Sequence, residues 1–103
     1  MKGARILVID DERMIRESIS AYLERQQYQV FSAATGGEGL SLFESKPVDC
    51  VILDLMLPDF SGEEVCGQIR AVSDVPVIML TAKNLEDDLL NGFSLGADIP
   101  ILP

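Results

Sequence analysis

The sequence predicts an α/β domain built on an open parallel sheet, and three observations predict it. Short apolar runs alternate with helical faces along nearly the whole chain, which is the βαβ pattern. Three of those runs end on polar residues: Ile6 to Ile9 ends on Asp10 and Asp11, Cys50 to Leu53 on Asp54, and Val77 to Leu80 on Thr81. In such sheets the ligand crevice lies outside the carboxyl ends of the strands, so these residues read as a site. The chain has 103 residues, 48% of them hydrophobic, which suits one small domain with a modest core and no second domain.

The elements follow in order. Strand one is Ala4 to Ile9, and the helix after it starts near Arg13, with Ile15, Ile19, Tyr22 and Leu23 on one face. Gln26 and Gln27 end that helix. Strand two runs Tyr28 to Ala33, and Thr35-Gly36-Gly37-Glu38 begins a helix that carries Leu40 and Phe43 and closes at Pro47. Strand three is Cys50 to Asp54; Leu57-Pro58-Asp59-Phe60-Ser61-Gly62 turns the chain into a helix bearing Val65 and Ile69. Strand four is Pro76 to Leu80. A fourth helix begins near Asn84, carries Leu85, Leu89 and Phe93, and ends at Gly96, where glycine takes a left-handed cap; Ile99 to Leu102 offers a fifth strand. Five strands and four helices leave one sheet face short of a helix. No repeat, low-complexity tract or linker interrupts the unit.

Composition excludes several functions. A formal net charge of −9 and the absence of histidine leave no basic footprint for direct nucleic-acid or anionic-membrane binding. Cys50 and Cys66 lack metal-ligand spacing and are expected to be reduced, Cys50 as a buried thiol in a strand. Met1 to Arg5 is too brief and too lightly charged for a signal peptide, and no apolar stretch is long enough to span a bilayer, so a cytoplasmic location is expected.

Carboxylates crowded at one mouth repel each other unless a cation sits between them. Magnesium resolves this, since it takes oxygen ligands, keeps several waters and uses one or two carboxylates beside a phosphoryl group. Asp10, Asp11 and Asp54 fit that need, and the Thr81 hydroxyl, at the end of strand four, is expected to be able to donate to a phosphoryl oxygen held beside the metal. A plainer reading competes at each position. Acids at strand ends often cap helices, so Asp11 or Glu12 would favour the positive end of the first helix, and Thr81 would cap the next one. Asp54 resists that reading, because Leu53 and Leu55 flank it and no turn former follows until Pro58. Lys83 reads as solvated. Thr35 to Gly39 lacks a following Lys-Ser or Lys-Thr and fails both glycine fingerprints, so it is a helix start rather than a phosphate cradle.

Four segments, Ile6-Leu7-Val8-Ile9-Asp10-Asp11-Glu12, Val51 to Pro58, Pro76 to Lys83 and Leu95-Gly96-Ala97-Asp98, occur in an order and spacing that resemble the receiver domain of two-component response regulators. The likeness spans about Lys2 to Asp98. It implies a flavodoxin-like fold with strand order 2-1-3-4-5 and a role as acceptor of a phosphoryl group from a sensor histidine kinase. It also implies that Asp54 is phosphorylated, that Asp10, Asp11, Asp54 and the backbone carbonyl of Met56 hold Mg2+, and that Thr81 is the switch hydroxyl. The segments are most similar to the subfamily whose regulators carry a winged-helix DNA-binding domain; residues 1–103 hold no such domain.

After Asp98 the likeness weakens. The family continues with an acidic residue, an aromatic and a lysine followed by proline, whereas this chain reads Ile99-Pro100-Ile101-Leu102-Pro103. The lysine, the switch aromatic and the final helix are missing, so a C-terminally incomplete receiver is expected. Magnesium binding should survive better than phosphorylation, because the lost cation would pair with a phosphoryl oxygen. The bare sheet face predicts a homodimer or a domain-swapped oligomer. A second function stays open, a receiver-like interaction module that no longer switches. A magnesium-dependent phosphohydrolase with Asp54 as nucleophile is disfavoured: there is no histidine, and Met56 stands where a second carboxylate is needed.

Overall fold

The computed structural model describes residues 3–80. They form β1 (Arg5–Ile9), α1 (Arg13–Arg25), β2 (Gln29–Ala33), α2 (Gly36–Ser45), β3 (Cys50–Asp54), α3 (Gly62–Arg70) and β4 (Val77–Leu80). The four strands pair in parallel in the order β2-β1-β3-β4, which agrees with the flavodoxin-like arrangement. Thr81, Lys83, the expected fourth helix and the strand at Ile99 to Leu102 lie outside the described residues. So does the sheet face on which self-association was expected to depend.

Three strands start one residue later than the apolar runs suggest, each for a local reason. The Ala4 carbonyl accepts from the Gln29 N–H at 2.9 Å, so Ala4 still serves the sheet edge. Tyr28 gives its N–H to the Leu23 carbonyl at the end of α1, 3.1 Å away. Pro76 has no N–H and contributes only its carbonyl, to Val51 at 2.9 Å.

Strand alternation sorts the core into two layers. Ile6 and Val8 of β1 and Cys50 and Ile52 of β3 pack with Ile19 and Leu23 of α1. Leu7 and Ile9, with Val51 and Leu53, pack on the other face with Val65 and Ile69 of α3. β1 and β3 are therefore buried on both sides, which is why they read as unbroken apolar runs. Burial lifts the Cys50 thiol to about 11; Cys66 is half-buried, and both cysteines are free.

The helix ends are chemically specified. Gln27 sits at φ 71°, and the bonds Gln27 N–H to Glu24 and Tyr28 N–H to Leu23 make a Schellman closure of α1, with Tyr28 packing near Leu23. Thr35 caps α2 by accepting from the Glu38 N–H at 3.1 Å. Ser61 and Glu64 form a reciprocal capping box on α3, with both bonds at 3.1 Å. At Gly39 a Cβ would run into the Ile9 side chain, so glycine lets α2 lie close on β1.

Candidate functional site

The register places the acids. Ile9 pairs with Leu53, so one further step sets Asp10 opposite Asp54 at adjacent strand ends. By alternation both belong to the face that α1 covers. Asp10 is only 4% exposed, the one buried charged residue among those described. Its N–H donates to the Ala33 carbonyl at 3.1 Å, its Oδ1 accepts from the Glu12 N–H at 2.9 Å, and its carbonyl accepts from Arg16 Nη1 at 2.8 Å. Asp11 is exposed and Asp54 half-buried; one carboxylate oxygen from each of the three lies within 4.8 Å of the others. Asp54 Oδ1 accepts from the Met56 N–H at 3.2 Å.

The helix-cap alternative now has a specific answer. Asp10 does take the Glu12 N–H as α1 begins, but the α1 cap residue, Glu12, makes no side-chain capping bond. Asp54 is followed by a loop and caps none of the described helices. Capping thus explains one bond of Asp10 and leaves the gathering of three acids unexplained.

Among the described residues the electrostatics are those of an anion cluster without an ion-pair partner. Burial pushes the Asp10 carboxyl up to about 6; the Glu12 N–H opposes this, and the charges of Asp54, Asp11 and Glu12 add to it. Asp54 is also raised, by burial first and then by Asp11 and Glu12, against the lowering effect of the Met56 N–H. The ion pairs among the described residues are Arg5 with Asp49 and Arg13 with Glu17, neither of them at the cluster. Arg16 reaches the site but gives its bond to a backbone carbonyl. Three carboxylates within reach of one another, with Asp10 and Asp54 raised in proton affinity and no ion-pair partner among the described residues, suit a hard divalent cation.

Met56 lies at the rim with 81% of its surface exposed, and a β-bridge to Ser61 closes its loop. Asp54 pairs with Leu80, the last described residue; Thr81 comes next and lies beyond them. Two contributors escaped the sequence reading. Glu12 acts on both Asp10 and Asp54 through its charge. Asp59 accepts from the N–H groups of Gly36 and Gly37 at 2.8 and 2.9 Å. The run Asp10-Asp11-Glu12 signals the first, whereas nothing in the sequence joins position 59 to position 36.

The family model of the response regulator receiver domain matches residues 6–102. The chain belongs to that family. This receiver is 47% identical over 98 residues to a ycf27 transcriptional regulator of Porphyridium aerugineum, covering 95% of this chain and 41% of the relative. It is 44% identical to the transcriptional regulatory protein ResD of Bacillus subtilis, covering 91% and 39%. The chain thus spans about two fifths of the length of these curated relatives. Among solved structures, the response regulator TrrA of Thermotoga maritima in complex with Mg(2+)-BeF superposes with a TM-score of 0.73 at 39% identity, covering 91% of this chain and 83% of that one. TrrA in complex with the histidine kinase ThkA gives 0.72 at 46% identity, covering 80% and 70%.

The domain is therefore homologous to response regulators that accept phosphate from histidine kinases, and receivers are phosphoacceptors rather than classical enzymes. The acidic pocket fits the family's use of Mg2+. No helix among the described residues is long and apolar enough to cross a membrane.

Proposed function

We propose that Asp54 receives the phosphoryl group from a phosphohistidine of a sensor kinase, and that Asp10, Asp11, Asp54 and the Met56 carbonyl hold Mg2+ beside it. The gathering of three carboxylates within 4.8 Å at the ends of β1 and β3 carries this reading. In the transfer, an Asp54 carboxylate oxygen forms the O–P bond as the N–P bond of the donor breaks. The electron pair leaves with the imidazole nitrogen, which takes a proton. Asp10, held at three points, fixes the inner wall of the pocket, and Met56 N–H orients the Asp54 carboxylate. When bound, the metal supplies positive charge against the acids and the phosphoryl oxygens. Thr81 is the proposed switch hydroxyl. Slow loss of the phosphoryl group to water returns the carboxylate.

The relatives' names support a place in transcriptional control, and the likeness to TrrA, solved in complex with a histidine kinase, supports a kinase partner; a cytoplasmic location and an output function outside residues 1–103 belong to the same proposal. The run Ile99 to Pro103, with no lysine, favours a second reading, a non-switching module. Incubation with acetyl phosphate and Mg2+, followed by intact-mass measurement, separates the two. One added phosphoryl mass that is lost in Asp54→Asn supports the phosphoacceptor. Absence of that mass while Mg2+ still binds supports the module.

A further inference from the structure

Asp59 sits on the exposed loop between Asp54 and α3, yet its carboxylate spans a gap to another element. Oδ1 accepts from Gly36 N–H at 2.8 Å and Oδ2 from Gly37 N–H at 2.9 Å, while Oδ1 also accepts from Phe60 N–H at 3.0 Å. These are the first two amides of α2, whose own cap, Thr35, serves a different amide, that of Glu38. The helix end attracts negative charge and offers free donors, so the contact holds the loop as well as the helix. The two glycines permit it: a Cβ on Gly36 would stand 2.9 Å from Phe60 Cδ2 and from Val65 Cγ2, and 3.2 Å from Asp59 Oδ1.

The tethered loop is the one that carries Met56. Its near side is fastened at the strand, by Leu55 N–H to the Leu80 carbonyl at 3.1 Å and Gly62 N–H to the Leu55 carbonyl at 2.7 Å. The Met56 to Ser61 bridge closes the turn, and Leu57 and Phe60 pack into the layer beneath. Among the polar contacts of the described residues, Asp59 alone ties the outer part of this loop to α2. We infer that Asp59 is a positioning residue, which clamps the loop after the phosphoacceptor to the start of α2 and so sets where Met56 presents its backbone to the acidic pocket. The inference rests on the metal reading proposed above for its consequence, and on the loop geometry for its cause.

The test uses the full chain and two readouts, amide hydrogen exchange without metal and Mg2+ titration by calorimetry. Asp59→Ala should speed exchange at Met56 and Gly62 as well as at Gly36 and Gly37, and weaken Mg2+ by roughly tenfold, as removal of a ligand's supporting contact does. Gly36→Ala, which keeps the Asp59 charge but pushes the loop away, should do the same, which separates positioning from loss of a nearby anion. Asp59→Asn retains one acceptor oxygen and should fall between wild type and Asp59→Ala. Thr35→Ala weakens the same helix end without touching the loop; it should leave Met56, Gly62 and Mg2+ affinity unchanged. If Asp59→Ala behaves like Thr35→Ala, with faster exchange confined to α2, Asp59 is only a helix cap and the inference is overturned. If the wild-type chain takes up no Mg2+, the metal reading falls, while exchange at Met56 and Gly62 still decides for or against the clamp.

Discussion

Asp49 and Asp54 bracket the same strand, β3, and their surroundings are opposite. Asp49, at the start, accepts from the Arg5 N–H at 2.7 Å and from Arg5 Nε at 3.2 Å, and these bonds hold its carboxyl below the usual range. Asp54, at the end, gains one N–H from Met56 and otherwise meets burial and the acids Asp11 and Glu12, which raise it. One residue type thus serves two ends differently. At the opening edge, donors are matched to the charge and the contact stabilises the fold. At the closing edge no described residue pairs with the charges, so this part of the fold bears a cost that a cation or a proton relieves.

Substitution at the acidic end should break the comparison most sharply. Asp54→Asn is expected to abolish phosphoryl incorporation, read by intact mass, while Asp49→Asn leaves it intact. Asp10→Asn should lose Mg2+ binding yet stabilise the metal-free chain at pH 7, by roughly 1–2 kcal/mol from the removed repulsion and desolvation. Denaturant unfolding checks this. A lower midpoint for Asp10→Asn would mean that its hydrogen bonds outweigh its charge.

At the matched end the sign reverses. Asp49→Ala should destabilise by about 1 kcal/mol, a value limited by the partial exposure of the pair, because the Arg5 N–H and guanidinium both lose their acceptor.

Acidity sharpens the contrast further. For Asp10, whose folded pKa of about 6 exceeds the model-peptide value, the folded state holds the proton more tightly. This group's contribution to stability therefore rises as pH falls from 7 towards 4, and Mg2+ affinity falls over the same range through competition with that proton. For Asp49 the folded pKa is depressed, so its contribution is present above the unfolded value and is lost as pH falls through the folded one. Unfolding curves of wild type, Asp10→Asn and Asp49→Asn between pH 3 and 7 should show these opposite slopes.

The smallest effect lies away from both ends. Gln27 adopts φ 71° where glycine is at ease, so Gln27→Gly should stabilise by about 0.5 kcal/mol without changing Mg2+ affinity. Thermal unfolding with and without Mg2+ reads both.

Much of the fold was legible because each signal was local. Apolar runs marked the strands, those of β1 and β3 being buried on both faces, and the expected limits fell within a residue of the observed ones. Thr35 ahead of Gly36 and Glu38 marked a helix start and proved to be its cap. The acids at the ends of β1 and β3 were legible too, since a polar residue closing an apolar run in a parallel sheet has one place to go. The offsets at Ala4, Tyr28 and Pro76 were not, because they depend on which partner takes each backbone group.

The sequence by itself determined the alternation of strands and helices, the layer each apolar residue joins, and the acids at the strand ends, because these follow from period and chain order. Only the tertiary structure decided that Asp10 is buried and held at three points, that its pKa rises, and that Asp59 reaches across to Gly36 and Gly37. Burial, mutual charge and a clamp between residues 23 positions apart are properties of distances in space. They arise when register sets two strand ends side by side and a loop is folded back onto a helix.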